Sequence, residues 1–549
     1  MRHTTIIVGG VAGGATVAAR LSRLDSERSI ILLERGPHVS FANCGLPYYI
    51  GGEIAREDDL LLASPELFRS RYGIEVLVRH EAVQIRKADN ILMVRNLQTG
   101  EMLEMPYHEL VLAPGAVPFR PAMPGIDLPG VYTLRNVPDA TAILRAIEDG
   151  KVRSALVVGA GFVGLEVAEN LQRRGLTVHV AEGAPHVLPP MDSHMAGYVH
   201  ELLEQNGVLV ETGVMAGGIR RTGNGRLQAY ADNWCSAEVD IIILSIGVRP
   251  ESGLARDAGL ETGINGAIVT DEQMRCSHPG IWAVGDAVQV VSRITGKPML
   301  LALAGVAQKQ ARVAAAFIAG RSGERFSGVL GSSVLRLFGT TIAMTGLNPD
   351  SAARLGLGDQ AEYVDLHPAN HVTYYPGATP IHMRLLFNRE NGRILGAAAV
   401  GTSDVARRID VIAAVMGLGG TVEDLEMAEL CYSPQEGSAK DAVNLAGMAA
   451  ANCIRGLHPV AHAEDISADT LVVDVREKAE VDSQPFPGAM NIPLSELRRR
   501  WREVPADKPL LVLCQVGMRG YNATRFLCNK GLNARNLTGG YRTMSRRRK

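Results

Sequence analysis

The amino-acid sequence predicts an α/β protein of several domains, and three observations lead to that prediction. The chain has 549 residues, which is more than one hydrophobic core usefully holds. Two segments, 4–34 and 154–182, share one pattern: an apolar strand, a glycine-rich turn, an amphipathic helix and a second apolar strand that ends in Glu. Short apolar strands and helices alternate again after residue 469. We therefore expect two βαβ units and a separate C-terminal α/β module.

The order of these patterns divides the chain into four blocks and one connector. The first βαβ unit opens a block that resumes after the second unit, and the second unit forms a block of its own. Alternating strands followed by helices form an α+β block. The predicted blocks are 1–120 together with 245–325, 121–244, 326–454, a polar connector at 455–469, and 470–549.

Charge and cysteine content exclude several classes of protein. The net charge of −2 gives no basic excess for nucleic acid, and the short tail Arg546–Lys549 is interpreted as a solvated end. No apolar run reaches membrane-spanning length, and no signal-peptide core follows Met1. The seven cysteines show neither a C-x-x-C pair nor zinc-ligand spacing, so we expect no metal and a reducing compartment. The sequence therefore predicts a cytoplasmic protein.

The second βαβ unit matches a dinucleotide-binding fingerprint in full. Gly159 forms the tight turn, Gly161 lets the backbone approach a pyrophosphate, and Gly164 lets the helix pack on its strand. Glu182 ends the next strand, where a carboxylate accepts hydrogen bonds from a ribose diol and repels a 2′-phosphate. This pattern favours NADH, with NADPH as the alternative. The predicted contacts are Gly159, Gly161, Phe162, Val163, Gly164, Glu182 and Gly247.

The first βαβ unit is less regular. When Gly9 and Gly14 are aligned with the fingerprint, Val11 takes the place of the middle glycine, so the pyrophosphate is expected at Gly10 or Gly13. A terminal Glu again supplies the ribose carboxylate. By itself this unit is compatible with either NAD or FAD. The predicted contacts are Gly9, Gly10, Ala12, Gly13, Gly14, Glu34 and Arg35.

A Gly-Asp pair decides between these two nucleotides. The strand within 280–287 ends in Gly-Asp and precedes a long helix at 301–319, which resembles the FAD ribityl motif of flavoproteins with two dinucleotide domains. In that motif the helix N-terminus stabilises negative charge on the reduced flavin. The segment Leu110–Gly115 resembles the strand that joins the FAD and NAD domains in the same group. The predicted FAD contacts therefore also include Ala113, Pro114, Gly115, Gly285, Asp286 and Ala304.

Cys44 is the candidate reactive residue of these domains. It lies in SFANCGLPYYIGG, directly after the first βαβ unit, and is therefore expected near the flavin. Gly45 and Pro47 constrain a turn that opens a helix, and a helix N-terminus lowers the pKa of a thiol. No second cysteine lies within five residues. The oxidised state is then a mixed disulfide with a small thiol, a persulfide or a sulfenic acid.

Four motifs together resemble one family across the whole chain. SFANCGLPYYIGG, GVAGGAT, HVTYYPGA and GSAKDAVN are similar to the coenzyme A-disulfide reductases and NADH-dependent persulfide reductases of the pyridine nucleotide–disulfide oxidoreductase superfamily. The resemblance implies that Cys44 is the nucleophile and that 326–454 mediates a homodimer. It also implies that Tyr374 and Tyr432 reach the active site from the partner, with Tyr375 as the rival for the first role. The implied coenzyme A contacts are Thr16, Arg20, Arg23, Ser40, Asn43, Arg71 and Lys440.

The C-terminal module resembles a rhodanese domain. DVRE, GAMNIP and LTGGY form its framework, and Cys514 to Arg519 form its catalytic loop. An apolar strand ends in the cysteine, and a six-residue loop then opens a helix. Successive backbone N–H groups converge on the sulfur as an anion nest, and Arg519 adds positive charge. A degenerate, non-catalytic rhodanese fold is the alternative.

The combined hypothesis is an enzyme that passes hydride from NADH through FAD to Cys44. Cys44 then reduces a coenzyme A disulfide, a coenzyme A persulfide or polysulfide, while Cys514 carries sulfane sulfur. The second hypothesis is an NADH oxidase or peroxidase that cycles through a Cys44 sulfenate. The related peroxidases carry a His where this chain has Ala12, and its absence argues against peroxide chemistry. The third is a sulfur carrier or scaffold in which only Cys514 acts.

Overall fold

The chain divides into two compact units in a computed structural model that describes residues 3–321, 323 and 325–545. Unit 1 comprises Met1–Gly183 and Gly207–Val329, and unit 2 comprises Ala184–Asn206 and Leu330–Lys549. The basic tail Arg546–Lys549 lies outside the described residues.

Unit 1 begins with the first βαβ unit and a small antiparallel sheet. Its first elements are β1 (Thr4–Val8), α1 (Ala12–Leu24), β2 (Ser29–Glu34), α2 (Leu46–Gly51), α3 (Pro65–Tyr72), β3 (Glu75–Val78), β4 (His80–Arg86), β5 (Ile91–Asn96), β6 (Met102–Pro106), β7 (Glu109–Leu112) and β8 (Ala116–Pro118).

The second βαβ unit and the return segment follow. They comprise β9 (Val131–Thr133), α4 (Val137–Glu148), β10 (Ser154–Val158), α5 (Phe162–Arg173), β11 (Thr177–Glu182), α6 (Ser193–Gln205), β12 (Leu209–Thr212), β13 (Gly218–Arg221), β14 (Leu227–Ala231), β15 (Trp234–Cys235), β16 (Ile241–Leu244), β17 (Val248–Pro250), α7 (Gly253–Asp257), β18 (Ile281–Ala283), β19 (Val290–Val291), β20 (Pro298–Met299) and α8 (Ala304–Ile318).

Two parallel sheets form the cores of unit 1. The first has the order β18-β7-β1-β2-β3 and the second β12-β11-β10-β16-β9. The central strands of both are almost wholly apolar because helices cover both faces of a parallel sheet. On α1 the buried residues Val17, Ala18 and Leu21 face this core, and α1 packs against α8. The carboxyl ends of β1, β7 and β18 therefore meet at one edge.

Unit 2 contains α6, an antiparallel sheet with helices, and a parallel α/β module. After α6 its elements are β21 (Ser333–Leu337), β22 (Thr340–Gly346), α9 (Pro349–Arg354), β23 (Ala361–Leu366), β24 (Ile381–Asn388), β25 (Ile394–Gly401), α10 (Val405–Gly417), α11 (Val422–Met427), α12 (Ala442–Ile454), β26 (Val460–Ala461), β27 (Leu471–Asp474), α13 (Lys478–Ser483), β28 (Met490–Asn491), α14 (Leu494–Arg500), β29 (Leu510–Leu513), α15 (Met518–Cys528), β30 (Ala534–Leu537) and α16 (Gly540–Met544).

The predicted fold class is confirmed, with two local differences. The antiparallel sheet has the order β21-β22-β25-β24-β23, and the C-terminal parallel sheet has the order β26-β30-β29-β27-β28. β26 lies inside the expected connector, yet it pairs with β30, so part of that connector belongs to the C-terminal sheet. Segment 184–206 belongs to unit 2, although its position in the sequence placed it with the second βαβ unit. Among the described helices, none combines the length and hydropathy that a bilayer crossing requires.

Candidate active sites

A cavity of about 190 Å³ opens where β1, β7 and β18 end. It is the place where the first glycine turn, the segment after β7 and the Gly-Asp pair converge. Asn43, the neighbour of Cys44, also lines it. Of the residues predicted to contact FAD, the cavity is lined by Gly9, Ala12, Gly13, Glu34, Arg35, Ala113, Pro114, Gly115, Gly285 and Asp286.

The glycine turn of this cavity packs so closely against neighbouring backbone that Gly9 and Gly14 have no room for a Cβ. Gly9 has φ of 97°, and a Cβ there would collide with the carbonyl oxygen of Ala113. A Cβ on Gly14 would collide with the Gly9 carbonyl, so Gly14 serves helix packing rather than the cavity wall. Glu34 accepts a hydrogen bond from the Gly10 N–H at 2.9 Å, which fixes its carboxylate at the cavity. These features fit a dinucleotide whose pyrophosphate approaches the backbone closely.

The position of Ala304 differs from the expectation. The helix expected at 301–319 begins at Ala304, after β19 and β20. Ala307, one turn into that helix, lines the cavity, and Ala304 does not. Burial raises the pKa of Asp286, and the charge of Arg135 opposes that change.

Sequence reasoning missed several residues of this cavity. Arg135 and Glu251 line it, and Glu251 binds Arg35 through two hydrogen bonds of 2.6 and 3.2 Å. Both lie far from the first βαβ unit in sequence, and no local pattern indicates them. By contrast, Gly36 to His38 directly follow Glu34 and Arg35, so extending that motif would have found them.

The second glycine turn has the geometry that its fingerprint predicts. Gly159 has φ of 103°, and a Cβ there would collide with the Ser245 carbonyl. Glu182 accepts a hydrogen bond from the Ala160 N–H at 2.6 Å. Gly161 is the N-cap of α5, so Phe162 and Val163 form its first turn. Gly164 packs on Gly159, and Gly247 has φ of 97° with open space around it. Most of the predicted nucleotide residues thus lie around the N-terminus of α5. Gly247 instead follows the adjacent strand β16.

Cys44 lies in a 3₁₀ turn, Asn43–Gly45, that leads directly into α2. Its side chain is exposed, and its backbone N–H donates to Asn43 Oδ1 at 3.0 Å. Enclosure by the surrounding protein raises the pKa of Cys44, as do the negative charges of Glu166 and Asp286. A helix N-terminus was expected to lower the pKa of Cys44, but burial and these two negative charges outweigh that effect. Leu46–Gly51 is a helix of only six residues, whose dipole is weak.

Of the implied coenzyme A contacts, all except Lys440 lie in unit 1. On α1, Thr16 donates to the Ala12 carbonyl at 2.6 Å, and Arg23 lies over the Tyr72 ring. Arg20 has a buried Nε without a hydrogen-bond partner among the described residues, a donor that an anionic ligand would satisfy. Ser40 adopts a φ of 51°, with its N–H bound to the Gly10 carbonyl, and Arg71 is exposed in the last turn of α3.

The two tyrosines implied by the resemblance meet in unit 2. Tyr374 Oη and Tyr432 Oη lie 3.2 Å apart, and both side chains are exposed. Tyr375 instead packs edge-on against His371 and accepts a hydrogen bond from Gln435. This geometry favours Tyr374 over Tyr375 as the partner of Tyr432.

The Cys514 loop encloses its sulfur. Cys514 is fully buried at the end of β29, and the Gly517 N–H donates to its Sγ at 3.1 Å. The loop is shorter than expected because α15 already begins at Met518. Arg519 makes two hydrogen bonds of 2.7 Å to Glu480, which lower the pKa of that carboxyl. Glu480 is a residue that the sequence motifs did not single out.

Lys440 lies on a second cavity, of about 290 Å³, in unit 2. The loop residues Val516 to Met518 form another wall of it. The C-terminal module is fixed beside this cavity: Thr538 Oγ1 accepts from the Asp365 N–H at 2.7 Å, and His462 contacts Glu362 at 2.6 Å. Lys440 thus lines the same cavity as the Cys514 loop.

Comparison with known proteins identifies the family. The family model described as pyridine nucleotide-disulphide oxidoreductase matches residues 3–311, which is more than half of the chain. The chain belongs to this family. The dimerisation domain of pyridine nucleotide-disulphide oxidoreductases matches residues 335–441, and a rhodanese-like domain matches residues 460–546.

Relatives within the family carry two kinds of name. Coenzyme A disulfide reductase of Staphylococcus haemolyticus is 34 % identical over 80 % of this chain and 98 % of its own length. The crystal structure of reduced Bacillus anthracis CoADR-RHD superposes with a TM-score of 0.97 at 40 % identity, covering 100 % of this chain and 98 % of that one. A protein of Methanocaldococcus jannaschii named NADH oxidase is 34 % identical over 80 % of this chain and 97 % of its own.

Membership in the pyridine nucleotide-disulphide oxidoreductase family makes this chain a flavin-dependent oxidoreductase. The family implies FAD and NAD(P)H, and the two glycine turns fit two dinucleotides.

The remaining cysteines differ in exposure: burial raises the pKa of Cys276 to about 12 and raises that of Cys453. Cys235 and Cys431 are exposed.

Proposed function

We propose that this enzyme uses NADH and FAD to reduce coenzyme A persulfide, coenzyme A disulfide or polysulfide through the single cysteine Cys44. The observation that carries the proposal is that Cys44 directly follows Asn43, which lines the FAD-type cavity, and has no neighbouring cysteine. A lone thiol in this place exchanges with a small external sulfur compound, since no adjacent thiol is present to form a disulfide with it.

The chain's own residues have separate tasks in this proposal. Glu34 and the first glycine turn hold FAD, and Glu182 with the second turn holds NADH. FAD, when bound, accepts hydride from the nicotinamide and supplies electron pairs to sulfur. Cys44 thiolate attacks the substrate sulfur, so one S–S bond forms as another breaks and a thiolate leaves. NADH supplies the two electrons that then restore Cys44.

The partner subunit completes the site in the proposal. Tyr374 and Tyr432 form one hydroxyl pair on an exposed surface, and such a pair can donate hydrogen bonds to a departing thiolate. Arg20 and Arg23 supply positive charge on one helix for the phosphates of coenzyme A. The dimerisation-domain match at 335–441 supports a homodimer. In the proposal these tyrosines cross to the partner's Cys44.

The C-terminal module favours persulfide as the substrate. A rhodanese loop carries sulfane sulfur on its cysteine, and the Gly517 N–H is already directed at Cys514 Sγ. In the proposed transfer, an acceptor thiolate attacks the outer sulfur of the Cys514 persulfide. The product is a new persulfide, and Cys514 leaves as thiolate. A persulfide reductase structure from A. fulgidus, 33 % identical with a TM-score of 0.91 over 98 % of this chain, agrees with this preference.

A substrate comparison tests the proposal directly. We expect NADH oxidation by the purified flavoprotein to be fastest with coenzyme A persulfide, slower with coenzyme A disulfide and slowest with hydrogen peroxide. The measurement is the initial rate of absorbance loss at 340 nm, with each acceptor supplied anaerobically. Relatives named NADH oxidase make peroxide the necessary comparison, and a separate air-saturated assay without added acceptor gives the rate with oxygen. Equal or faster turnover of peroxide would replace the proposed function by sulfenate cycling at Cys44.

Changing Cys514 to Ser is expected to separate the two activities. Sulfur transfer from thiosulfate to cyanide should fall at least about a hundredfold, because the persulfide carrier is lost. Reduction of coenzyme A disulfide should keep its wild-type rate. Cys528→Ser, in the same module, is the matched control and should change neither activity. Retained sulfur transfer in Cys514→Ser would indicate a degenerate loop.

A further inference from the structure

Tyr374 and Tyr432 lie on two separate loops of unit 2. Tyr374 belongs to the loop 370–379, between β23 and β24, and Tyr432 belongs to the loop 428–440, between α11 and α12. Both loops are fully described, and neither contains a helix or a strand. Contacts other than regular secondary structure therefore bring the two tyrosine hydroxyls to within 3.2 Å of each other.

Asn370 closes the first loop at its base. The Asn370 N–H donates to the Thr379 carbonyl at 2.9 Å, and the Thr379 N–H donates to Asn370 Oδ1 at 2.8 Å. These two hydrogen bonds join the ends of the loop. The Asn370 carbonyl accepts a further hydrogen bond, of 2.7 Å, from Arg408 Nη2 on α10. The base of the first loop is therefore fixed to α10.

The guanidinium of Arg408 also fixes the end of the second loop. Arg408 Nη2 donates to Asp441 Oδ2 at 2.8 Å, and Arg408 Nε donates to Asp441 Oδ1 at 3.3 Å. Asp441 directly follows Lys440 and is the N-cap of α12. Arg408 is 1 % exposed and Asp441 is 5 % exposed, so this is a buried charge pair that is costly to break.

The two loops also contact each other directly. The Val372 N–H of the first loop donates to the Gly437 carbonyl of the second at 3.0 Å. The tyrosine hydroxyls form another contact between the loops, and both tyrosine side chains are exposed. Arg408 is thus the buried end of a set of contacts whose exposed end is the hydroxyl pair.

We propose that Arg408 is a positioning residue that holds the loops 370–379 and 428–440 together and thereby sets the distance between the Tyr374 and Tyr432 hydroxyls. The inference deepens the proposed function and rests on the role given there to the tyrosine pair. Two hydroxyls that donate to one departing thiolate must reach the same sulfur, so a small change in their separation removes one donor. A planar guanidinium suits this task, because its fixed donors bond a carbonyl and a carboxylate at once.

Hydrogen–deuterium exchange of the holoenzyme tests whether Arg408 holds the loops. Arg408→Lys keeps a positive charge beside Asp441 but loses the planar fork. Peptides that cover either loop should exchange at least about tenfold faster in this variant, because exchange follows local opening. Peptides from α15 of the C-terminal module should keep their wild-type exchange.

Turnover of the same variant tests the consequence for the reaction. Reduction of coenzyme A disulfide at saturating NADH and disulfide should fall about tenfold in Arg408→Lys, because the hydroxyl pair is misplaced. Flavin reduction by NADH without an acceptor, followed by stopped-flow absorbance, should keep its wild-type rate. This difference separates the loss of a sulfur-side contact from general damage to the holoenzyme.

A double-mutant cycle shows whether Arg408 acts through the tyrosines. In the background Tyr374→Phe/Tyr432→Phe, Arg408→Lys should change turnover less than about twofold, because the groups that it positions are absent. Arg384→Lys is the matched control: Arg384 is also buried, and it binds Asp365 of β23 rather than either loop. It should leave turnover and the exchange of both loops unchanged.

Three results would overturn the inference. They are unchanged exchange of both loops in Arg408→Lys, an equal loss of turnover in Arg384→Lys, and an undiminished loss when Arg408→Lys is added to the tyrosine double variant. Failure of the proposed function gives a different result. If Cys44→Ser kept the wild-type rate, the proposed function would fail, while faster exchange of both loops in Arg408→Lys would still support the positioning of the tyrosine pair.

Discussion

Cys44→Ser is expected to lower NADH-driven reduction of coenzyme A persulfide and disulfide by at least about a thousandfold. A serine hydroxyl at this position is neither ionised near neutral pH nor able to form an S–S bond. Electrons from NADH would then have no covalent path to the substrate sulfur. The loss should appear in the turnover rate measured at saturating substrate, because the chemical step itself is removed.

The same variant should still bind FAD and accept hydride. Cys44 is exposed beside the cavity, whereas the groups that form the dinucleotide turn, Gly9, Gly13 and Glu34, are unchanged. The measurement is anaerobic bleaching of the flavin by one equivalent of NADH, followed by substrate addition. Cys235→Ser is the matched control, because Cys235 is also exposed but lies on β15, in the separate sheet β13-β14-β15. Substrate reduction that persists in Cys44→Ser would show that another group receives the electrons.

The second large effect concerns a buried charge cluster in unit 2. Arg384 is 4 % exposed and makes two hydrogen bonds of 2.7 Å to Asp365. A third hydrogen bond, of 2.8 Å, joins it to Asp192, which also caps α6. Arg384 therefore ties segment 184–206 to the antiparallel sheet, and Asp365 continues the connection to Thr538 of the C-terminal module. One guanidinium joins parts that are distant in sequence.

Arg384→Met is expected to lower the free energy of unfolding by about 3–5 kcal/mol at pH 7, because two buried carboxylates lose their cation. Arg389→Met is the matched control: Arg389 follows the same strand, is exposed and lies 3.6 Å from Glu362, so its loss should cost less than about 1 kcal/mol. Urea denaturation followed by circular dichroism gives both values. A similar small change in the two variants would contradict the role given to Arg384.

The destabilisation by Arg384→Met should shrink at low pH. In the wild type burial acts to raise the pKa of Asp365, but the charge and hydrogen bonds of Arg384, together with the charges of His194 and His367, hold it below its usual value. The stability from this pair is present above the pKa of Asp365 in the unfolded chain, about 3.9, and is lost as pH falls through the lower folded value. Without Arg384, burial favours protonated Asp365. The variant and the wild type should therefore differ less at pH 4 than at pH 7.

Local sequence patterns predicted the structure correctly where one chain segment contains all the residues of a motif. The glycine turns at Gly9 and Gly159, each followed by a strand that ends in Glu, indicated the nucleotide units, and β1 begins at Thr4, where the first predicted unit, 4–34, begins. Each motif encodes its own backbone: a positive φ, a helix start and an acid at a fixed separation. The family and the enzyme class were predicted from such motifs and are confirmed.

Local sequence patterns failed to predict contacts between residues that lie far apart along the chain. Arg135 and Glu251 reach the first cavity from other elements, and Glu480 binds Arg519 across the C-terminal module. The pKa of Cys44 is the clearest case, because the turn by itself suggested an acidic thiol. Glu166, far along the chain on α5, changes that balance only once α2 and α5 pack.

The sequence alone thus determined the order of domains, the two nucleotide turns and the two candidate sulfur residues, Cys44 and Cys514. These depend on short-range backbone geometry and on residue type, which a linear pattern contains. Only the tertiary structure decided which charges face Cys44, that Tyr374 rather than Tyr375 meets Tyr432, and that segment 184–206 joins unit 2. Electrostatic fields and side-chain contacts depend on distances in space, and folding sets those distances independently of separation along the chain.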